Sequence, residues 1–400
     1  MPNPVNIECR EQVRNMGSFS ALYAALLLLS LHWAVVLYIN SSYLEQFVSS
    51  QVVSGLYIVG AILTIVAFLY APPLLTRFGN IRIAVALTIL EITALIGMAY
   101  LESVYAALIL FIVHQAIVPL LLFHLDVLLE ELIGSEESST GGRRGLLLTI
   151  MSLTGALAAL GMGTLIGSDE PQFTEAYVVS AAFLIPFLYI LIRYFKNFKD
   201  PIYPSLRIIE GIQTFWHQRD LRNVFFAHFL LQLFFAWMVI YTPIYLFSVI
   251  GFNWEEIGRI MFVGLMAYVL LEYAIGFAAD RYVGEKEMMA FGFAVIAIAT
   301  SWFIFLDNTT ILIWMIAMFM TRVGASFVET TTESYFFKHA QGKDTNIIGL
   351  FRITRPLSYV LGAALGAGTL ALFKFEALFL ILGLLMLPGL FFAMALKDTR

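Results

Sequence analysis

Cysteine is nearly missing from this sequence. Cys9 is the only one, which excludes an intrachain disulfide and a zinc knuckle. Charge is scarce too. Asp, Glu, Lys and Arg make up 13% of the 400 residues, where a soluble domain carries about 25%. Neither sign dominates: 23 Lys and Arg stand against 28 Asp and Glu, for a net charge of −5, so there is no basic footprint for DNA or RNA. Enzyme signatures are lacking as well. There is no His-Glu-x-x-His and no Gly-x-Ser-x-Gly, and Gly342-Lys343 runs into Asp344 without the upstream glycine of a phosphate loop. The chain is therefore expected not to be an enzyme and to hold neither cofactor nor metal.

What the sequence has instead is apolar length. Hydrophobic residues are 60% of the chain, more than a soluble globule of this size could hide. A membrane-spanning helix needs about 20 mostly apolar residues, and twelve such runs follow one another: 19–39, 51–70, 81–100, 104–129, 145–167 and 176–192, then 224–250, 257–279, 288–306, 311–337, 347–372 and 377–396. The first run is too long for a cleaved leader and ends in no small-residue cleavage pattern. With the N-terminus placed in the cytoplasm, all Lys and Arg but Arg259, Lys374 and Arg322 fall in or beside inner loops. That asymmetry predicts both termini inside a cell membrane. Between the two sets of six spans lies a polar break in which Leu206, Ile209, Ile212 and Trp216 recur at helical spacing. It reads either as an amphipathic helix on the inner leaflet or as a solvated linker. The expected division is 1–195, a linker 196–221, and 222–400.

The two sets of spans are related. The inner loop after span 2 reads Leu75-Thr76-Arg77-Phe78-Gly79, and that after span 8 reads Ala279-Asp280-Arg281-Tyr282-Val283-Gly284. Arg77 and Arg281 are 204 apart, as are Gly145 and Gly349. The acidic pairs Asp126/Glu130 and Glu329/Glu333 lie at an offset of 203. Three coincidences at nearly one offset argue for duplicated halves.

Twelve spans in two halves, a central inner loop and the stretch Gly276-Phe277-Ala278-Ala279-Asp280-Arg281 resemble the major facilitator superfamily. That family's loop pattern is Gly-x-x-x-Asp-Arg-x-Gly-Arg-Lys. The second-half copy keeps Gly276, Asp280, Arg281, Gly284 and Lys286, with one extra residue before Gly284. The first-half copy keeps Arg77 and Gly79, with Thr76 in place of the acid and Pro72 in place of the first glycine. The stretch 243–258, ending Trp254-Glu255-Glu256-Ile257-Gly258, is similar to the family's span 7–8 crossing. The Gly-Pro pair of the family's antiporter signature is not present in span 5, where Gly155, Gly161, Gly163 and Gly167 come without the proline.

The resemblance implies an all-α membrane protein of two pseudo-symmetric six-helix bundles. It would work as a rocker-switch carrier with its substrate between the halves, spans 1, 4, 7 and 10 lining the cavity and spans 3, 6, 9 and 12 facing lipid. It also implies that Asp280 sits against the start of span 5 at Gly145, beside Arg143 and Arg144. With no ATP motor, an ion gradient or the substrate's own gradient must drive such a carrier. A monomer in the bilayer with a small-molecule substrate, and protons as the coupling ion, is the expected assembly.

Polar residues inside the spans carry the rest. A charge at a span centre costs about 2.5–3.5 kcal/mol on insertion scales, so it needs a partner or a task. Glu91 and His114 sit at matching depth in antiparallel spans 3 and 4. They read as a structural hydrogen-bonded pair, which the lipid-facing tendency of span 3 favours, or as a proton site. Arg322, twelve residues into span 10, must face water, an anion or a carboxylate; Glu329, two turns on, is the local partner. His32, Asn40, Gln115, His228, Gln232, Trp237 and Tyr241 are cavity candidates, and each also reads as an ordinary buried hydrogen-bonded residue. In the acidic pairs, Glu130 and Glu333 are expected to form gate salt bridges with Arg77 and Arg281. Asp126 and Glu329, one turn deeper and with fewer cations at hand, are candidates for gated protonation or are simply interfacial. The leading expectation is a proton-coupled secondary transporter of a small organic solute. An uncoupled facilitator, and a sensor, scaffold or lipid scramblase that keeps the fold, stay open.

Overall fold

A computed structural model describes residues 4–133, 137–167, 172–203, 213, 216–279, 283–306, 310–339 and 345–397. Among these there is no strand, and twelve long helices account for most of the described residues. They are α1 (Pro4–Leu37), α2 (Ser50–Phe78), α3 (Asn80–Tyr100), α4 (Val104–Ile133), α5 (Glu137–Ile166), α6 (Thr174–Tyr194), α7 (Arg219–Ile240), α8 (Trp254–Ala278), α9 (Glu285–Ser301), α10 (Ile311–His339), α11 (Thr345–Leu372) and α12 (Ala377–Met394). Ten helical stretches are long and apolar enough to cross a membrane; α5 adds the shorter apolar stretch Ile150–Ile166. Each of the twelve expected runs overlaps one of these helices; the seventh runs on past α7 through the helical turns Thr242–Ile244 and Tyr245–Ile250, and the ninth past α9 into Trp302–Phe305. The linker residues Leu206, Ile209 and Ile212, on which the expected amphipathic helix rests, lie outside the described residues.

The helices are apolar on most sides because two solvents want the same thing. Ile89, Leu90 and Ile96 on α3, Ile185, Tyr189 and Ile192 on α6, Ile298 on α9, and Leu384, Leu387 and Phe391 on α12 are exposed. That outward apolar girdle is what lipid requires and water would not tolerate at this density. Inside, one continuous core runs through both halves, with Trp237, Trp254, Trp314, Tyr57 and Tyr177 fully buried.

Chain reversals are set by residues that can adopt them. Gly79, between α2 and α3, has φ +83° and ψ 153°; Gly284, between α8 and α9, has φ +88° and ψ 157°. Only glycine takes that backbone freely, and its recurrence at corresponding loops is the structural counterpart of the sequence repeat. At the opposite end α8 starts on a capping box: Asn253 accepts from the Glu256 amide at 2.9 Å, and its own amide donates to the Glu256 carboxylate at 3.0 Å. Pro72, Pro73, Pro119, Pro186, Pro356 and Pro388 lie within helices, where each removes one backbone donor and permits a bend.

The halves meet along two seams, α5 with α8 and α2 with α11. At the end of the bundle distal to the chain termini both are tight. A methyl built on Gly258 of α8 would meet the Ala159 carbonyl oxygen of α5 at 2.5 Å, and one on Gly163 of α5 would collide with the Glu255 backbone. Small residues here let backbones touch. Across the other seam Ser54 and Tyr241 share a hydrogen bond of 2.7 Å, and Tyr57 stacks on Tyr359. Phe173 also packs edge-on against Trp254. The distal end is thus sealed from half to half.

Candidate functional site

Below that seal the halves separate around two adjoining lobes. The larger, about 180 Å³, is lined from α1, α5, α7, α8, α10 and α11 by residues that include Trp33, Phe235, Tyr268, Gln232, Arg322, Glu329, Glu272 and Arg355. The smaller, about 40 Å³, is lined by Asn40, Tyr57, Thr64, His114, Gln115, Arg355 and Tyr359 among others. Trp33, Leu37, Val239, Arg355 and Tyr359 belong to both walls.

Four ionisable groups face the larger lobe. The Arg322 guanidinium is held by the Thr321 hydroxyl at 3.0 Å and lies 5.6 Å from the Phe234 ring. Arg355 lies 4.9 Å from the Trp33 ring of the other half. Neither forms an ion pair with a described carboxylate. The expected Arg322–Glu329 pair is therefore not formed: seven residues along a helix put the two about 10 Å apart in axial rise. Glu329 instead feels the carboxylates of Glu272 and Glu333 and the guanidinium of Arg355, and Glu272 lies beside Ser152 of α5. Two guanidinium groups and two carboxyl groups thus share one lobe without ion pairs among the described residues. Such an arrangement is costly in a bilayer interior unless water or a charged solute meets them.

Beside the smaller lobe is a second constellation. Glu91 of α3, His114 of α4 and His32 of α1 converge in the core of the first half, and all three are buried. The His114 Nδ1 hydrogen-bonds the Glu91 carboxylate, and the His32 Nε2 lies 3.4 Å from the same oxygen. The outer partners come from α6 and from a short helix, Asn40–Glu45. Asn40 donates to the His114 Nε2 at 3.2 Å, Tyr177 donates to Asn40 at 2.9 Å, and the His32 Nδ1 meets the Ser180 hydroxyl at 2.8 Å. Three ligand atoms within 4.8 Å of one another is a spacing a metal ion could use. Both His114 nitrogens already have hydrogen-bond partners, however, so the set fits a hydrogen-bonded cluster and not an open ligand shell.

The other candidates fall into place around these two. Gln115 lines the smaller lobe and Gln232 the larger. His32 does not: it points away from the lobes toward α6, with its Nδ1 held by the Ser180 hydroxyl and its Nε2 facing Glu91. His228 sits behind the wall, stacked on Phe351 and bonded to Gln232 at 3.3 Å. Trp237 and Tyr241 are not lining residues either. Trp237 donates to the Gly362 carbonyl at 2.5 Å and Tyr241 to the Ala363 carbonyl at 3.2 Å, so their polar tips tie α7 to α11 within the seal. Asp126, expected to be poorly supplied with cations, is ion-paired to Arg352 of α11. That pair links the two halves on the termini side. Arg77 is exposed beside the Phe78 ring and forms no ion pair among the described residues. The Glu130 side chain, Asp280 and Arg281 lie outside the described residues, so the expected gate pairs and the Asp280–Gly145 contact are not addressed.

Glu272, Arg352 and Arg355 escaped the sequence reading. Glu272 is an acid deep in an apolar span, the same signal that marked Glu91. Arg352 and Arg355 fall within the eleventh expected run, 347–372, but counted only toward the inner-side charge; α11 takes Arg355 to the cavity wall and Arg352 to Asp126.

The family model of the Major Facilitator Superfamily matches residues 18–340 and again 224–400. Comparison with curated proteins gives no match. Among solved structures, the xylose transporter XylE from E. coli in a partially occluded inward-open conformation aligns with a TM-score of 0.71 at 12% identity, over 96% of this chain and 99% of that one. The nucleoside transporter NupG aligns at 0.66 and 13%, over 94% and 98%. The human organic anion transporter MFSD10 aligns at 0.65 and 14%, over 95% and 99%. At these identities the likeness is one of fold.

Proposed function

The chain belongs to the major facilitator superfamily, and on that premise we propose that it is a proton-coupled secondary carrier of a small organic solute, working by alternating access in a cell membrane with both termini cytoplasmic. The observation that carries this reading is the larger lobe. Arg322 and Arg355 face it with Glu272 and Glu329, among Trp33, Phe235 and Tyr268, without internal ion pairs among the described residues. A solute with an apolar body and charged groups of both signs would satisfy the four groups and the rings together. In this reading 1–195 and 222–400 are the two moving bodies, the linker 196–221 joins them, and a single chain suffices. The Asp126–Arg352 pair would part when the termini side opens. The glycine seal at α5–α8 would part when the distal side opens.

Proton coupling is supported by Glu91, a carboxylate shielded from solvent and set between two imidazoles, one of which borders the smaller lobe. A proton taken up there changes the charge of the wall without needing a metal or a phosphate. The test is transport by the full chain in proteoliposomes. A panel of radiolabelled small zwitterions, anions, cations and sugars is offered with and without an imposed pH gradient. Accumulation of a zwitterionic or charged aromatic solute against its gradient, abolished by a protonophore, is the expected result. Equilibration unaffected by the pH gradient would leave an uncoupled facilitator, and no transport of any class would leave the sensor or scaffold.

A further inference from the structure

We propose that the buried cluster holds one exchangeable proton, that this proton sits on the Nε2 of His32 facing Glu91, and that His114 is a fixed neutral donor that does not take it up. The proposal rests on the proton-coupled reading above and names the residue that reading left open.

The argument is a count of hydrogens. Ser180 has one hydroxyl hydrogen, and it goes to the His32 backbone carbonyl at 2.9 Å. At the 2.8 Å contact between the His32 Nδ1 and the Ser180 oxygen, the ring must therefore donate. A neutral His32 then has a bare Nε2, and that nitrogen has no hydrogen-bond partner. It faces the Glu91 carboxylate 3.4 Å away. Two lone-pair atoms opposed in a site closed to water repel each other. Adding one proton to Nε2 turns that contact into an imidazolium–carboxylate pair and brings the cluster to net zero. Removing it leaves a single buried negative charge, with the second Glu91 oxygen also unpartnered.

His114 is held the other way. The Tyr177 hydroxyl donates to Asn40, which fixes the amide so that its NH₂ points at the His114 Nε2. That nitrogen must accept, so the hydrogen of the neutral ring is on Nδ1 and is given to Glu91. A second proton on His114 would set N–H against N–H and require Asn40 to turn, losing the Tyr177 bond. The other ionisable groups nearby include Tyr57 of α2 and Arg355 and Tyr359 of α11, which line the smaller lobe with His114. Glu91 comes from α3, His114 from α4, Tyr177 from α6, and Tyr43, which donates to the Met98 carbonyl, from the short helix. The Ile150–Ile166 stretch of α5, packed against α1, contains no titratable side chain.

The charge so created has an addressee. Arg355 of the second half lines the same small lobe as Asn40 and His114. A cluster that alternates between zero and −1 changes the pull on that guanidinium from across the half-to-half gap.

The experiment needs no substrate. The full chain, with ring-¹⁵N histidine, is placed in lipid nanodiscs and its imidazole tautomers are followed by NMR as pH falls. The six histidines are assigned by single replacement, His32→Asn and His114→Asn. The expected result is a His32 ring protonated at Nδ1 throughout and gaining a second proton at Nε2, with His114 showing Nδ1–H and a bare Nε2 across the range. In Tyr177→Phe the amide is free to turn and His114 should join the titration. Protonation of His114 at Nε2 in the wild type, an unresponsive His32, or a Tyr177→Phe protein in which His114 still does not titrate would each overturn the assignment. A His32 that titrates as described in a protein showing no pH-driven transport would leave the assignment standing and sink the coupling reading instead.

Discussion

Gly258→Ala offers a sharp test of the distal seal. The added methyl would sit 2.5 Å from the Ala159 carbonyl oxygen, where ordinary contact begins near 3.4 Å. The oxygen belongs to the α5 backbone and cannot rotate away, so the helices must part by roughly 1 Å or strain by a similar amount. Overpacking of a close-packed contact costs about 1–3 kcal/mol. Helix propensity favours alanine by about 1 kcal/mol, but that gain is present whether the seal is closed or open and so cancels in the ratio. The distal-open to distal-closed ratio should therefore rise by about 5- to 150-fold, at about 1.4 kcal/mol per decade. The assay is pulsed-EPR distance measurement in a Cys9→Ser background, with spin labels at Glu102 and Lys374, which are exposed in distal loops of opposite halves. Gly161→Ala is the control: it lies on the same face-rich stretch of α5 with nothing within 4 Å of its built methyl, and should leave the distances alone. An unchanged distribution in Gly258→Ala, or an equal shift in Gly161→Ala, would refute the claim that backbone contact sets the closed state.

The remaining predictions concern the charges. Asp126 and Arg352 are each about one-third exposed (34% and 32%), so breaking their ion pair should cost no more than about 1 kcal/mol; Asp126→Asn should shift the population ratio read from the same distances by less than about fivefold, and 1 M salt in the wild type should reproduce the shift. Glu91→Gln should abolish accumulation driven by a pH gradient while leaving exchange of labelled for unlabelled solute, measured in the same proteoliposomes. Arg322→Gln removes a charge-assisted donor worth about 1.5–3 kcal/mol, so the apparent affinity for a solute bearing a carboxylate should fall about 10- to 150-fold in competition uptake, with little change for an uncharged analogue. Trp237→Phe leaves the buried Gly362 carbonyl without its donor and should lower the thermal unfolding midpoint in detergent, with solute selectivity unchanged.

The sequence by itself determined the solvent, the twelve spans, the doubling of the chain and the family, because each rests on chain-length arithmetic or on a loop that only certain residues can form. The paired glycines Gly79 and Gly284 were legible as a repeat, and both adopt the backbone that explains why glycine is there. Matching residue counts from a shared loop were enough to bring Glu91 level with His114. What the sequence could not say is which way each polar side chain turns. In a soluble helix the apolar stripe marks the inner face; here lipid and protein core are equally apolar, so no stripe exists to read. Residue counting therefore put His32, Trp237 and Tyr241 in the cavity and gave Arg355, within the eleventh run, no place on the cavity wall. Tertiary packing decided otherwise: Ser180 on α6 turned His32 toward Glu91, the bare backbones of Gly362 and Gly366 drew Trp237 and Tyr241 into the α7–α11 contact, and the continuation of α11 through Pro356 carried Arg355 to the cavity wall. Hydrogen bonds and close backbone contacts across helices fix orientation where hydrophobicity is silent, and they exist only once the helices are packed.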